Sequence, residues 1–424
     1  MSELLKRTDR LWNGEASTAQ AEFHPFAGPR LLEELAPGVA FFKAFVNVTA
    51  VRTDDGLVLV DTGAYLPASH MLSFKAVRGW NRERLHTAIY THGHVDHAYG
   101  LPPFLAEARE RGWHSPAIVG HDNVLPRMQR YVRTAGYNSV INTRQFAVET
   151  KWPVEFQPPT QTYVDALELS VGGTRFQLHH AKGETDDHTW VFLPDTKTLC
   201  TGDLFIWAAP NAGNPQKVQR YAVEWAAALR AMAALRPELL LPGHGLPIAG
   251  AARVQEALLD TAAYLESLVN QTLERLNAGQ TLYEILDGVR PPAALEEKPY
   301  LRPVYDEPEF IVRNLWRCFG GWHSGVPSEL KPAPRRALGK ELAALAGGIE
   351  RLLERSRELV TAGDPQLAAH LVDWAADAEP ASREVHAARA AVYRVLMDGA
   401  SSTMSRGIYG AAARDSEAKS ASGG

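Results

Sequence analysis

Up to about Gly250 short apolar runs recur between helical patterns, and beyond it they stop. VAFFKAF, NVTAVRT and GLVLVDTG read as consecutive strands between about Gly38 and Gly63. The last two are joined at Asp54-Asp55-Gly56 by a turn that needs a residue tolerant of positive φ. HTAIYTH, PAIVGH, FQLHH, TWVFLP, TLCTGD and LLLPGHG follow, interleaved with LPPFLAEARERG and AVEWAAALRAMAAL, the layout of sheets flanked by helices. After residue 250 the segments AARVQEALLDTAAYLESLVNQTLERLNAG, LGKELAALAGGIERLLERSRELVTAGD, PQLAAHLVDWAADAEP and SREVHAARAAVYRVLMDG carry helical periodicity with Gly or Pro as stops.

A length of 424 residues is too great for one ordinary core and predicts two domains. We place an α/β domain over residues 1–250, an all-α domain over 251–400 and a small, polar, flexible tail over 401–424. The last three helical segments resemble stacked helix pairs of the tetratricopeptide kind, which leave an apolar face for a neighbour. A net charge of -5 offers no field for nucleic acid or an anionic membrane. Cys200 and Cys318 fall in different predicted domains, which argues against a disulfide. With no secretory apolar core near the N-terminus and no uninterrupted apolar stretch of membrane length, the expectation is a cytoplasmic protein.

The stretch YTHGHVDHAYG places His92, His94, Asp96 and His97 directly after an apolar run. A loop leaving a strand end can aim alternate side chains to two sides, and imidazole nitrogens with carboxylate oxygens are zinc donors. Glu184 in AKGETDDHTWVFLP, Asp203 in LCTGDLF and His244 in LLLPGHG each sit just past another strand-like run and complete a candidate ligand set. His188 competes with Glu184 for one place in that set.

In this order of motifs the chain resembles the metallo-β-lactamase superfamily: His92-Gly93-His94-Val95-Asp96-His97 matches its HxHxDH loop without a gap. A glutamate at position 184, with RNLWRCFGGWHSGVPSELKPAP and helices following, is similar to the alkyl sulfatase branch and its dimerisation domain. The resemblance implies an αββα sandwich followed by an all-α, TPR-like dimerisation domain. It implies two Zn2+ per chain, the first on His92, His94 and Glu184, the second on Asp96, His97 and His244, with Asp203 bridging. Asp61 in VDTG would orient a ligand, and His188 would stand behind the ligands or beside the substrate. The branch usually has a glutamate where Asp203 stands, and histidines where this chain has Ile206, Trp207, Ala208 and Ala209.

Two ions of this kind point to hydrolysis by a metal-activated water, with Asp96 and Asp203 as the catalytic carboxylates. A sulfate monoester wants cationic or amide donors and an apolar wall. Asn211, Lys217 and Arg220 are the candidate sulfate contacts, and Tyr137 and Asn138, in a Gly-led turn, candidate pocket residues. Trp207, Trp316, Phe319 and Trp322 could form the wall. The reading is a binuclear zinc hydrolase that cleaves alkyl sulfate esters to an alcohol and inorganic sulfate. The alternatives are the same centre acting on another small ester, lactone or phosphoester, or a non-catalytic scaffold. Assembly is expected to be a homodimer through the helical domain, with a small-molecule substrate and no nucleic-acid or membrane partner.

Overall fold

In the computed structural model, which describes residues 2–64 and 67–421, helix α1 (Glu3–Trp12) starts at Ser2, whose hydroxyl accepts from the Leu5 amide. β1 (Leu31–Ala36) turns through Pro37 and Gly38, the latter at φ 72°, into the wholly buried β2 (Val39–Lys43). β3 (Val48–Thr53) and β4 (Gly56–Val60) pair with Thr53 opposite Gly56, so the predicted Asp54-Asp55 turn is a two-residue hairpin. Gly56 has φ 122°, and a Cβ there would lie 2.6 Å from the Arg84 carbonyl oxygen.

From β4 the sheet becomes parallel through β5 (Leu85–Ile89), β6 (Ala117–His121) and β7 (Gln161–Tyr163), giving the order β1-β2-β3-β4-β5-β6-β7. Parallel neighbours need crossovers. α2 (Pro67–Trp80) and α3 (Pro102–Glu110) supply the first two, and α4 (Val124–Arg133) and α5 (Ala135–Phe146) follow β6. The second sheet holds β8 (Ala166–Val171), β9 (Thr174–His180), β10 (Thr189–Leu193), β11 (Thr198–Gly202), β12 (Leu239–Pro242) and β13 (Ile248–Ala249), in the order β13-β12-β11-β10-β9-β8. β11 and β12 are parallel, bridged by α6 (Ala222–Ala234). Together the sheets and their helices make the expected αββα sandwich.

The chain divides into two compact units, and the division is not at residue 250. The first comprises Met1–Ala135, Trp152–Gly279 and Ile285–Phe319. α7 (Ala251–Asn277) belongs to it, with Val254, Leu258, Leu265 and Leu268 buried, and packs on α6. Helical periodicity reports a buried face without saying what covers it, which is why the sequence misplaced this helix. Short helices α8 (Leu282–Gly288) and α9 (Ala293–Glu296) lead to α10 (Pro308–Gly320). Cys200 and Cys318 are free, and both lie in this unit instead of one in each domain.

The second unit comprises Gly136–Lys151, Gln280–Glu284 and Gly320–Gly424. It stacks α11 (Arg335–Ala346), α12 (Ile349–Thr361), α13 (Pro365–Ala378), α14 (Arg383–Gly399) and α15 (Thr403–Ala421) around Leu353, Ala368, Val372, Ala375, Val385 and Leu396. Asp364 caps α13 through the Leu367 amide at 3.0 Å, with Pro365 at the first helical position.

The tail expected to be flexible is instead α15. Gly407, Gly410, Ala413 and Ser416 form a buried face, and Arg389 donates to Ser416 Oγ at 2.8 Å while Arg394 pairs with Glu417 at 2.7 Å. Small residues that read as fraying composition here let two helices approach closely. Residues 422–424 of the tail lie outside the described residues. Tyr137 and Asn138 lie within α5, not in a turn: one glycine weakens a helix by only about 1 kcal/mol, which the rest of the segment outweighs. Among the described residues no helix is long and apolar enough to cross a membrane.

Candidate metal centre

Every candidate ligand leaves the carboxyl end of a strand or the loop that follows one. His92, His94, Asp96 and His97 follow β5, Glu184 follows β9, Asp203 follows β11 and His244 follows β12. Their donor atoms form two groups, His92, His94, Glu184 and Asp203, and Asp96, His97 and His244, each within 4.8 Å. In the first, Glu184 Oε2 lies 3.2 Å from His94 Nδ1 and 3.4 Å from His92 Nε2. In the second, His244 Nε2 lies 3.3 Å from Asp96 Oδ2. Asp203 joins them: Oδ1 is 3.3 Å from His97 Nε2 and Oδ2 is 3.6 Å from His244 Nε2.

The loops are held by bonds that run between strand ends. Asp61, at φ 59°, leaves β4 in the left-handed region and so turns its carboxylate back onto the next strand. It accepts from the Thr91 amide at 2.8 Å and hydroxyl at 2.9 Å and from His97 Nδ1 at 2.7 Å, and so fixes the direction of the His97 ring. His244 Nδ1 donates to the Phe45 carbonyl at 2.6 Å. Asn47 anchors the same hairpin, donating through Nδ2 to the carbonyls of Pro242 and Gly245 at 2.9 and 3.0 Å. Behind His92 and His94, Asp187 accepts from the Gly93 amide at 2.7 Å and from Arg127 Nε at 2.7 Å. His188 lies outside both groups: Nε2 accepts the Asp203 amide at 3.1 Å, and its ring stacks 4.8 Å from that of His92. The turn is tight enough that a Cβ on Gly243 would sit 2.3 Å from Asp203 Oδ1.

The donor set suits a divalent cation. His97 Nε2, Glu184 Oε2 and Asp203 Oδ1 are buried and make no hydrogen bond, although buried polar atoms are nearly always satisfied. Burial opposes a charge on His97, yet Asp203, Asp96 and Asp61 hold it well above the ordinary imidazole range. The carboxylates that favour a proton there equally favour a metal ion. Burial pushes His92 well below that range, with His97 and His94 adding to the effect, and pushes His188 down to about 3. Neutral imidazole and ionised carboxylate are the zinc-binding forms.

Of the candidate substrate contacts, Asn211 and Arg220 are buried and turned onto Glu184: Asn211 Nδ2 donates to Oε1, and Arg220 Nη1 lies 3.1 Å from the same oxygen. Lys217 is half-buried, its Nζ 5.4 Å from the Trp152 ring, and among the described residues no carboxylate stands within ion-pair distance of it. Tyr137 and Asn138 are part of the second unit. Trp207 is no wall: it is fully buried against Trp12 and Tyr300. Trp316 is buried on α10, whereas Phe319 and Trp322 are exposed.

The apolar rings beside the centre are Phe26, Phe45 and Tyr305. Phe26 packs at 4.4 Å from His244 and from Tyr305, and Phe45 lies 5.8 Å from His244 and is partly exposed. Sequence reasoning missed these, along with Arg127, Asp187 and Asn47. The stretch FVN, Phe45 to Asn47, between two strands was the available signal, because an Asn at a hairpin can supply a fixed amide.

A family model described as Metallo-beta-lactamase superfamily matches residues 43–244, and one described as Alkyl sulfatase dimerisation matches residues 281–419. A linear primary-alkylsulfatase of Pseudomonas sp. (strain ATCC 19151) is 26% identical over 347 residues, covering 77% of this chain and 65% of its own. An (R)-specific secondary-alkylsulfatase of Pseudomonas sp. is 25% identical over 423 residues, covering 92% of this chain and 62% of its own. The chain thus spans less than two thirds of the length of these relatives. The structure of the stereoselective inverting sec-alkylsulfatase Pisa1 from Pseudomonas sp. superposes with a TM-score of 0.80 at 22% identity, covering 89% of this chain and 64% of that one, a likeness of fold. Residues 43–244 thus match a metallo-beta-lactamase domain, and residues 281–419, after it, an alkyl sulfatase dimerisation domain.

Proposed function

We propose that the chain hydrolyses alkyl sulfate esters to an alcohol and inorganic sulfate. Two zinc ions would be held by His92, His94 and Glu184 on one side and by Asp96, His97 and His244 on the other, with Asp203 shared. The reading rests on one observation: two donor groups meet at the strand ends, and one carboxylate reaches both. Similarity to proteins named alkylsulfatases favours a sulfate ester among the substrates such a centre could take. Ions held there would supply Lewis-acid polarisation and a water of lowered pKa.

The chain's own residues do the rest. Asp96, whose side chain is partly exposed, orients the attacking water by accepting its hydrogen bond. Lys217 offers the sulfate oxygens a cation that no carboxylate among the described residues pairs with at ion-pair distance. Phe26 and Phe45 give the hydrocarbon part an apolar wall beside His244.

The test is sulfate release from a medium-chain alkyl sulfate, measured beside a panel of lactones and phosphodiesters. Release that disappears on chelation and returns with zinc is the expected result; turnover confined to a lactone or phosphodiester would overturn it. We also place a homodimer on the helical domain, where Leu338 and Leu345 are exposed one heptad apart on α11. Light scattering should give twice 46.6 kDa, and a mass of 46.6 kDa at micromolar concentration with full activity would exclude it.

A further inference from the structure

Glu184 is buried, and its two oxygens live in different surroundings. Oε2 faces the imidazoles of His92 and His94 and makes no hydrogen bond. Oε1 faces Arg220 Nη1 at 3.1 Å and accepts from Asn211 Nδ2, while Arg220 Nη1 also donates to the Glu184 carbonyl. Among the described residues no other carboxylate lies within ion-pair distance of Arg220.

The guanidinium is not placed by chance. Asn314, on α10, accepts the Arg220 amide at 3.3 Å through Oδ1 and donates to the Arg220 carbonyl at 2.9 Å through Nδ2. One amide side chain therefore grips the backbone of Arg220 on both sides. Upstream, Asp306 accepts the Gly213 amide at 2.6 Å and fixes the loop that carries Asn211. Both anchors lie in the chain beyond residue 300, yet in the same compact unit as Glu184.

A carboxylate with both oxygens free can bind a cation through both. One whose second oxygen lies against a guanidinium nitrogen and accepts from an amide presents a single oxygen, and its charge is already balanced. We propose that Arg220 is a positioning residue that takes Oε1 and the charge of Glu184, so that Oε2 alone is presented to the first metal ion. Arg220 then acts on the metal group through Glu184 and not by contact with a sulfate oxygen. This goes beyond the substrate assignment and rests only on the metal assignment.

The experiment compares thermal unfolding and zinc affinity, by chelator competition, of the zinc-loaded and zinc-stripped full chain. The variants are Arg220→Leu, Arg220→Lys, Glu184→Gln and the double Glu184→Gln/Arg220→Leu. Without Arg220 the buried Glu184 has no counter-charge until the ion arrives. Arg220→Leu should therefore lose much more stability when stripped than when loaded, and its first zinc should bind on the order of tenfold tighter, because the ion relieves a charge left uncompensated. Its kcat should fall while zinc content is retained.

Arg220→Lys should recover the stripped stability in part. In the Glu184→Gln background the leucine substitution should no longer change the zinc-dependent shift. Should Arg220→Leu fail to fold when stripped, Asn211→Ala removes the other partner of Oε1 and should move the shift in the same direction by less. Equal destabilisation with and without zinc would make Arg220 a purely structural residue and overturn the proposal. A rise in KM alone, with the zinc-dependent shift unchanged, would make it a substrate contact and overturn it equally. Absence of any sulfatase activity would leave the stability and affinity readings intact, so the two readings fail separately.

Discussion

The two donor groups differ in what stands behind them. Behind the first stand charged pairs: Glu184 with Arg220, and Asp187 with Arg127 beneath the His92–His94 turn. Behind the second stand a backbone carbonyl, that of Phe45 on His244, and one carboxylate, Asp61, on His97. Ion pairs in a dry setting fix direction and balance charge, whereas a carbonyl fixes only the ring's orientation. The first group is thus built to hold a charged ligand in place, and the second to orient its two imidazoles while leaving its carboxylate, Asp96, partly open.

The largest effect should come from the residue common to both. Asp203→Asn should strip metal from the two groups together, taking zinc from about two equivalents towards none and lowering turnover by at least about 10²–10³-fold. Metal analysis that still finds one equivalent would show that the groups are independent. Next, His244→Ala should leave one equivalent, held by the first group, and sulfate release should fall nearly as far. An unchanged stoichiometry would remove His244 from the centre.

Supports should matter less than ligands, and differently on the two sides. Asp61→Asn should weaken the second zinc, and Asp187→Asn the first, each by about 10–100-fold. Chelator competition followed in stages would read them separately, and loss of the same ion in both variants would break the contrast drawn here.

The smallest effect concerns the anion contact. Burial pushes Lys217 down to about 8, so the ammonium is present below that pH and is lost as pH rises through it. KM for the sulfate ester should rise above pH 8 by about 10-fold or more, the loss expected for one charge-assisted hydrogen bond of at least roughly 1.5 kcal/mol. Lys217→Arg should flatten that limb while zinc content stays constant. A pH profile identical in the arginine variant would take Lys217 out of the site.

Much of this was legible in the chain itself, for identifiable reasons. Strand-length apolar runs with period-two alternation or continuous burial foretold β2 to β6 and β9 to β12, and Asp54-Asp55 foretold the hairpin between β3 and β4. The candidate ligands converge because each falls at a strand end, where sequence order alone brings side chains to one rim. Their supports were not. Asn47 reaches Pro242, Phe45 reaches His244 and Asn314 reaches Arg220, across 94 to 199 positions of sequence.

Sequence patterning determined which segments are strands or helices and which residues carry zinc-donor chemistry, because propensity, periodicity and side-chain type are local properties. Only the tertiary structure decided what those residues face. It assigned α7 and residues 285–319 to the first unit and made a packed helix, α15, of an expected tail. It also turned Arg220 and Asn211 from candidate sulfate contacts into partners of Glu184. An apolar face or a charged side chain is read from one segment, but its partner is chosen by packing and electrostatics among segments distant in the chain.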